Sequence, residues 1–226
     1  MFMCTAIRCQ LTERVQPWHF SVPVSGRKER VINRANDSFE SLLAEVQACN
    51  ICADALPLGP RPVFQLSPTA KVLIASQAPG IKVHDTGIPF MDRSGERLRE
   101  WIGWTTDEFY DARKVAILPM GLCYPGRTSN SGDAPPRPEC ALIWRDRLLA
   151  QMPDLKLTLL VGIYAQNHVL GRGTLTERVM NFQTFLPDYF PLPHPSWRSR
   201  VWAAKNPWFE TKVLPALRSA VTQALR

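Results

Sequence analysis

Lys71-Val72-Leu73-Ile74-Ala75-Ser76-Gln77-Ala78-Pro79-Gly80 is the stretch on which the fold turns. Four apolar residues run together without polar alternation, as in a strand buried on both faces of a parallel sheet. Ser-Gln-Ala-Pro-Gly then ends it, because proline fixes its own φ and glycine permits a tight turn. Loops at the carboxyl ends of the strands in an open α/β sheet converge on one crevice, where ligands bind. A second segment, Phe190-Pro191-Leu192-Pro193-His194-Pro195-Ser196-Trp197, has the same form: a short strand over 190–193 that delivers His194 to a loop. The two turns are expected to face one site.

The same pattern extends outward. Val115–Met120 and Leu157–Gly162 read as two further strands, and amphipathic segments lie between them. Asp37 and Glu40 form a capping pair ahead of Phe39, Leu42, Leu43 and Val46 at helical spacing. After Gly80 a long loop leads to a helix from Ser94 to Trp101, stopped by Gly103. A proline-rich loop over 125–138 precedes a helix over 139–152, a short helix follows Gly162, and Thr174 with Glu177 forms a capping box. Asn206-Pro207 reads as the start of the last helix, which turns Phe209, Val213, Leu214, Leu217 and Val221 inward and is kinked by Pro215. Strands alternating with helices predict a three-layer α/β/α fold with a central, mostly parallel four-stranded sheet. It occupies residues 37–226, behind a poorly ordered N-terminal arm over 1–36 that has no sustained period.

Length and charge bound the function. A chain of 226 residues builds one α/β domain with a substantial core. No apolar run approaches the ~18 residues a membrane span needs. Met1–Gln10 contains Arg8 and no continuous apolar stretch, so no secretory signal is expected and the cytoplasm, or a bacterial nucleoid, is the expected place. The net charge is +7, with six basic and three acidic residues in 1–37 giving +3 there and +4 in the rest. Such a balance favours a polyanion partner, nucleic acid above all, although it also serves solubility alone. The chain is expected to act as a monomer.

Six cysteines are present, and Cys4 and Cys9 have no assigned role. Cys49-x-x-Cys52 closes a helix, while Cys123 and Cys140 follow a strand and lie on the next helix, with sixteen residues between them. Four thiols in two pairs suit zinc or an iron–sulfur cluster. Buried thiols packing as small hydrophobes are the other reading.

Taken in order, Gln77-Ala78-Pro79-Gly80, Gly87-Ile88-Pro89-Phe90, Ser94-Gly95 and His194-Pro195-Ser196 resemble the motifs of the uracil-DNA glycosylase superfamily over about residues 38–225. The order of the cysteines is similar to that of its iron–sulfur branch, family 4. The resemblance implies DNA as partner and an enzyme that flips a damaged base out of DNA and hydrolyses its N-glycosidic bond, uracil being the first substrate to consider. It implies a 4Fe–4S cluster on Cys49, Cys52, Cys123 and Cys140, with zinc or no metal as alternatives. By the same resemblance Gln77, Ala78, Pro79 and Gly80 contact the base, Phe90 stacks on it, and His194 donates to its carbonyl as charge develops. Ser196 binds a phosphate, and Trp197 or Arg198 enters the base stack.

Three departures stand out. Gln77 replaces a glutamate of family 4, and Ala78 replaces a catalytic aspartate of family 1. The asparagine that reads the uracil edge in relatives falls on Pro119 or Met120. The water-activating group is then expected to be Asp85, with His84 beside it, or Gln77. A non-catalytic DNA-binding or damage-sensing relative, and a metal-cluster regulatory module, are the alternatives.

Overall fold

The computed structural model describes residues 38–129 and 132–226. The arm expected over 1–36, and Asp37 as a cap, lie outside the described residues. Ser38 caps the first helix, Phe39–Gln47, its Oγ accepting from the Ser41 N–H at 3.2 Å.

Four strands form one sheet: β1 (Val72–Ala75), β2 (Val115–Ile117), β3 (Leu157–Val161) and β4 (Tyr189–Leu192). All neighbouring pairs are parallel, in the order β2-β1-β3-β4. The strand order reverses between β1 and β3, which opens a crevice at their carboxyl ends.

Side chains alternate across the sheet and sort into two cores. Val72, Ile74, Val115, Ile117, Leu159 and Val161 pack on one face against Leu98, Trp101 and Ile102 of the helix Arg93–Ile102 and against Phe209 and Leu217 of the C-terminal helix. On the other face Leu73 and Ala116 meet Leu42, Val46, Trp144 and Leu148, while Ala75 and Leu160 meet Ala165 of the helix Ile163–Leu170. Helices thus cover both sides, and the three-layer α/β/α architecture expected from the sequence is present. Each fully buried Leu, Ile or Phe contributes about 1.5–3 kcal/mol of transfer free energy.

Both margins of the sheet are finished locally. At β2 the backbone of Gln65 exchanges two hydrogen bonds with Ile117, at 2.9 and 2.6 Å, and its side-chain Nε2 donates to the Val115 carbonyl at 2.8 Å. At β4 the carbonyls of Asp188 and Leu192 accept from β3 and from Gly162. By the two-residue period, Pro191 therefore points its absent N–H outward.

Several connections differ from the sequence reading. The loop after Gly80 contains a helix, Ile81–Thr86, and a capping box at Thr105 opens a further one, Thr106–Tyr110. A helix Arg198–Lys205 follows His194 directly, and Asn206 finishes it, its side-chain N–H donating to the Trp202 carbonyl at 2.8 Å; its carbonyl accepts from the Phe209 N–H at 2.9 Å, so the last helix starts at Asn206-Pro207 without a side-chain cap. The C-terminal helix opens with a widened π turn, Phe209–Val213, ahead of Leu214–Ala224. Pro215 has no N–H for the Thr211 carbonyl, and the wider turn absorbs that loss.

Candidate active site

β1 ends at Ala75, and Ser76–Gly80 carries the chain over the carboxyl edge of the sheet into the helix Ile81–Thr86. β4 ends at Leu192 and lifts His194 to the same edge. Gly162, which follows β3, leaves room for it: φ is +88° and an added Cβ would lie 3.3 Å from the His194 Cβ. Gln77, Ala78, Pro79, Gly80, Phe90 and His194 all line one cavity of about 400 Å³, within the size range of small-molecule sites. Two turns more than a hundred residues apart thus share a wall.

Phe90 is held in an unusual state. It is the one non-glycine residue with positive φ (+55°) among the described residues, a conformation costing about 1–3 kcal/mol that persists only when neighbours impose it. Gly95, Phe109 and Tyr110 are those neighbours. Gly95 approaches the Phe90 carbonyl so closely that a Cβ there would lie 1.8 Å from the oxygen. The Phe90 ring meets Phe109 edge-on, with centroids 6.0 Å apart, and the Tyr110 hydroxyl donates to the Pro89 carbonyl at 2.8 Å. Asp92 accepts from the Gly95 N–H at 2.9 Å, which fixes the helix start behind Phe90.

The His194 loop is equally well pinned. The Ser196 N–H donates to the His194 carbonyl at 2.8 Å, and the Ser196 carbonyl accepts from Arg97 Nη1 and Ser199 Oγ, both at 2.6 Å. Arg97, which in sequence reads as part of a solvated helix face, therefore braces this loop. Burial pushes the His194 imidazole below its ordinary pKa, and the nearby Asp92 carboxylate opposes that only in part. Burial therefore favours the neutral ring. At the rim, Trp197 is 70% exposed and the Arg198 guanidinium sits 5.5 Å from its ring centroid.

Two expected residues stand elsewhere. Asp85 is exposed on the helix Ile81–Thr86 and does not line the cavity; its carbonyl accepts from Arg61 at 3.1 Å. Helical periodicity turns it away from the wall that Val83 forms. His84 is buried outside the lining, its ring 6.1 Å from that of Tyr124. Gln77 lines the cavity, but its Nε2 donates to the Ala134 carbonyl at 3.1 Å. Pro119, not Met120, occupies the wall at the end of β2. The carboxylates in the lining are Asp92 and Asp133, accompanied by Arg127. Asp92 had a legible signal, standing three residues before Gly95 as an N-cap does; Asp133, in an aperiodic proline-rich loop, had none.

A model of the uracil DNA glycosylase superfamily matches residues 63–218, well over half of the chain. The chain belongs to the uracil DNA glycosylase superfamily. Every residue lining the cavity falls inside the matched span. A solution NMR structure of a candidate uracil DNA glycosylase from Methanosarcina acetivorans is similar at 15% identity, with a TM-score of 0.39, over 70% of this chain and 98% of that one.

Away from this superfamily cavity, the four thiols come near one another. Cys123 and Cys140 are buried, Cys49 and Cys52 half-buried, and none forms a disulfide. Burial pushes Cys140 up to about 11, and the charges of Cys52, Cys123 and Cys49 add to the shift. Backbone groups of Leu122 and Arg61 favour the thiolates of Cys140 and Cys123, and the Arg137 guanidinium is in electrostatic contact with Cys52. Among the described residues, no three His, Cys, Asp or Glu side chains stand in metal-holding geometry. No helix of the described residues is long and apolar enough to cross a membrane.

Proposed function

We propose that this protein is a monofunctional DNA glycosylase that hydrolyses the N-glycosidic bond of a damaged base flipped from DNA, with uracil as first substrate. The observation that supports it is the common cavity of the Gln77–Gly80 turn, Phe90 and His194, at the carboxyl edge of the sheet. A duplex hides its glycosidic bonds, so chemistry there requires an extruded nucleotide and a pocket to receive it.

In this reading the flipped ring lies against Phe90, and backbone N–H groups of the 77–80 turn meet its polar edge. As the bond to the sugar breaks, negative charge accumulates on the base. A neutral imidazole at His194 donates a hydrogen bond to the carbonyl that receives the charge, and such preorganised donors are worth about 10²–10³ in rate. Pro119 has neither a side-chain amide nor a backbone N–H, so backbone groups of the turn take over base discrimination. In the same reading Trp197, exposed at the rim, is the wedge that fills the vacated stack, and Arg198 and Arg127 are the phosphate contacts.

The chemistry of the donor set, four sulfurs whose charges act on one another, supports a thiolate-bound metal, although no three of them stand in metal-holding geometry in this structure. We assign Cys49, Cys52, Cys123 and Cys140 to an iron–sulfur cluster, with zinc as the competing occupant. Through these four residues a bound metal would tie together the end of the first helix, the loop after β2 and the helix over residues 138–149. Iron, acid-labile sulfide and zinc analysis of the purified protein decides between them.

The activity test is direct. Single- and double-stranded oligonucleotides bearing uracil or another deaminated or oxidised base are incubated with the protein and scored for alkali-labile sites. Strand cleavage at uracil is expected. Binding without cleavage on every substrate would make the chain a damage sensor.

A further inference from the structure

The turn that borders the cavity, Gln77–Gly80, carries no carboxylate. We infer that Asp133 supplies the missing carboxylate, taking a proton from the water that attacks the sugar, and that Gln77 is the residue that positions it. The inference rests on the glycosylase reading.

Asp133 sits on the loop between β2 and the helix over residues 138–149, folded back on itself by Ala134 N–H to Gly126 carbonyl (2.9 Å) and Thr128 N–H to Gly132 carbonyl (2.8 Å). Its Oδ2 lies 3.6 Å from where a Cβ on Gly80 would be. The carboxylate thus rests against the turn that receives the base. Gln77 makes this contact specific. Its side-chain N–H holds the Ala134 carbonyl, the residue next to Asp133, across the mouth of the cavity. An amide cannot serve as a base at neutral pH, but it is a good tether.

The other cavity carboxylate, Asp92, is committed to capping its helix through Gly95. Burial raises the Asp133 pKa, Arg127 lowers it, and Asp92 raises it further. A carboxylate whose pKa is raised by burial accepts a proton more readily than a fully solvated one. The charged groups facing it are Arg127, Asp92 and Arg198, whose guanidinium reaches to 3.8 Å of a Cβ placed on Gly132. His194, its neutral form favoured by burial, lines the same cavity.

The step balances. The C1′–N bond breaks and its electron pair leaves with the base. The water oxygen bonds to C1′, and one water proton passes to Asp133. The released base anion takes up one proton, and Asp133 returns its own to solvent.

The test compares wild type with Asp133→Asn, Asp133→Glu, Gln77→Ala and Asp92→Asn on uracil-containing single strands. Each variant is also tested for binding to an uncleavable 2′-fluoro-deoxyuridine strand. Asp133→Asn should lower kcat about 10²–10³-fold with binding unchanged, and should abolish the acidic limb of the kcat–pH profile. Asp133→Glu should recover part of the rate, and Gln77→Ala should lower kcat about tenfold while retaining the limb. Turnover by Asp133→Asn within threefold of wild type, or loss confined to Asp92→Asn, overturns the inference and leaves the glycosylase reading standing. A wild type inactive on every damaged base overturns that reading and the inference with it.

Discussion

Gly95→Ala is the sharpest probe of how the cavity is held. Gly95 is glycine for space, not for backbone angle: it lies in the first turn of the helix Arg93–Ile102, and a Cβ would fall 1.8 Å from the Phe90 oxygen, 2.7 Å from its carbonyl carbon and 2.8 Å from its Cβ. Two of those atoms are backbone, so no rotamer change relieves the clash. Overpacking costs about 1–3 kcal/mol, and contact with backbone places this case near 3. Alanine returns up to about 1 kcal/mol of helix propensity, leaving a net loss of about 2–3 kcal/mol. At about 2–4 °C per kcal/mol for a domain of this size, Tm falls about 4–12 °C. The movement that relieves the clash also shifts Phe90, so excision should fall more than the stability loss explains. Gly171→Ala is the control, at φ +76° with nothing within 4 Å of the added Cβ. Its φ of 76° with ψ of −168° is a region that is essentially glycine-only, so alanine there should cost about 1–3 kcal/mol of backbone strain and leave turnover unchanged. Thermal melts and single-turnover excision on the same preparations give both numbers. A Gly95→Ala protein with Tm within 1 °C of wild type and unaltered excision would refute the steric account of Phe90.

Further outcomes follow from the site. His194→Ala should slow excision about 10²-fold or more, with the circular dichroism spectrum unchanged. Trp197→Ala, at an exposed residue, should leave Tm in place but weaken excision from duplex more than from single strands, as measured by paired kcat/KM values. Binding to a duplex should fall with salt, and Arg198→Ala should reduce the log–log slope by about 0.9. Cys140→Ser should release bound metal, read by elemental analysis. In a metal-free preparation the Cys140 thiol stays protonated until its pKa of about 11, so its alkylation at pH 8 should be slow and should accelerate only as pH approaches that value.

The strands were legible because Val72–Ala75, Val115–Ile117 and Leu157–Val161 are apolar runs buried on both faces, and burial on both faces writes itself into composition. The helices Ile81–Thr86 and Thr106–Tyr110 were not, being too short to develop a period; in the second, the Thr105–Glu108 capping box was the available signal. Asn206-Pro207 marked the start of the last helix, but nothing in the pair showed that the asparagine side chain would close the preceding helix while its carbonyl opens the next. At the site, the turn and His194 were marked by proline and glycine. Asp85 drew attention by its nearness in sequence to the turn, but a helix directs side chains by angle, not by nearness. Asp133 reaches the cavity only because the loop folds back and Gln77 ties it, a contact spanning 57 residues.

The finished margins of the sheet bear on how this chain behaves in company. An incoming extended segment needs a row of free donors and acceptors, and unprotected sheet edges template aggregation. Along β2, Gln65 already occupies the outward groups of Val115 and Ile117. Along β4, the proline places a ring where a donor would be needed. Among the described residues, strand-by-strand growth into larger assemblies is therefore blocked at both edges of the sheet.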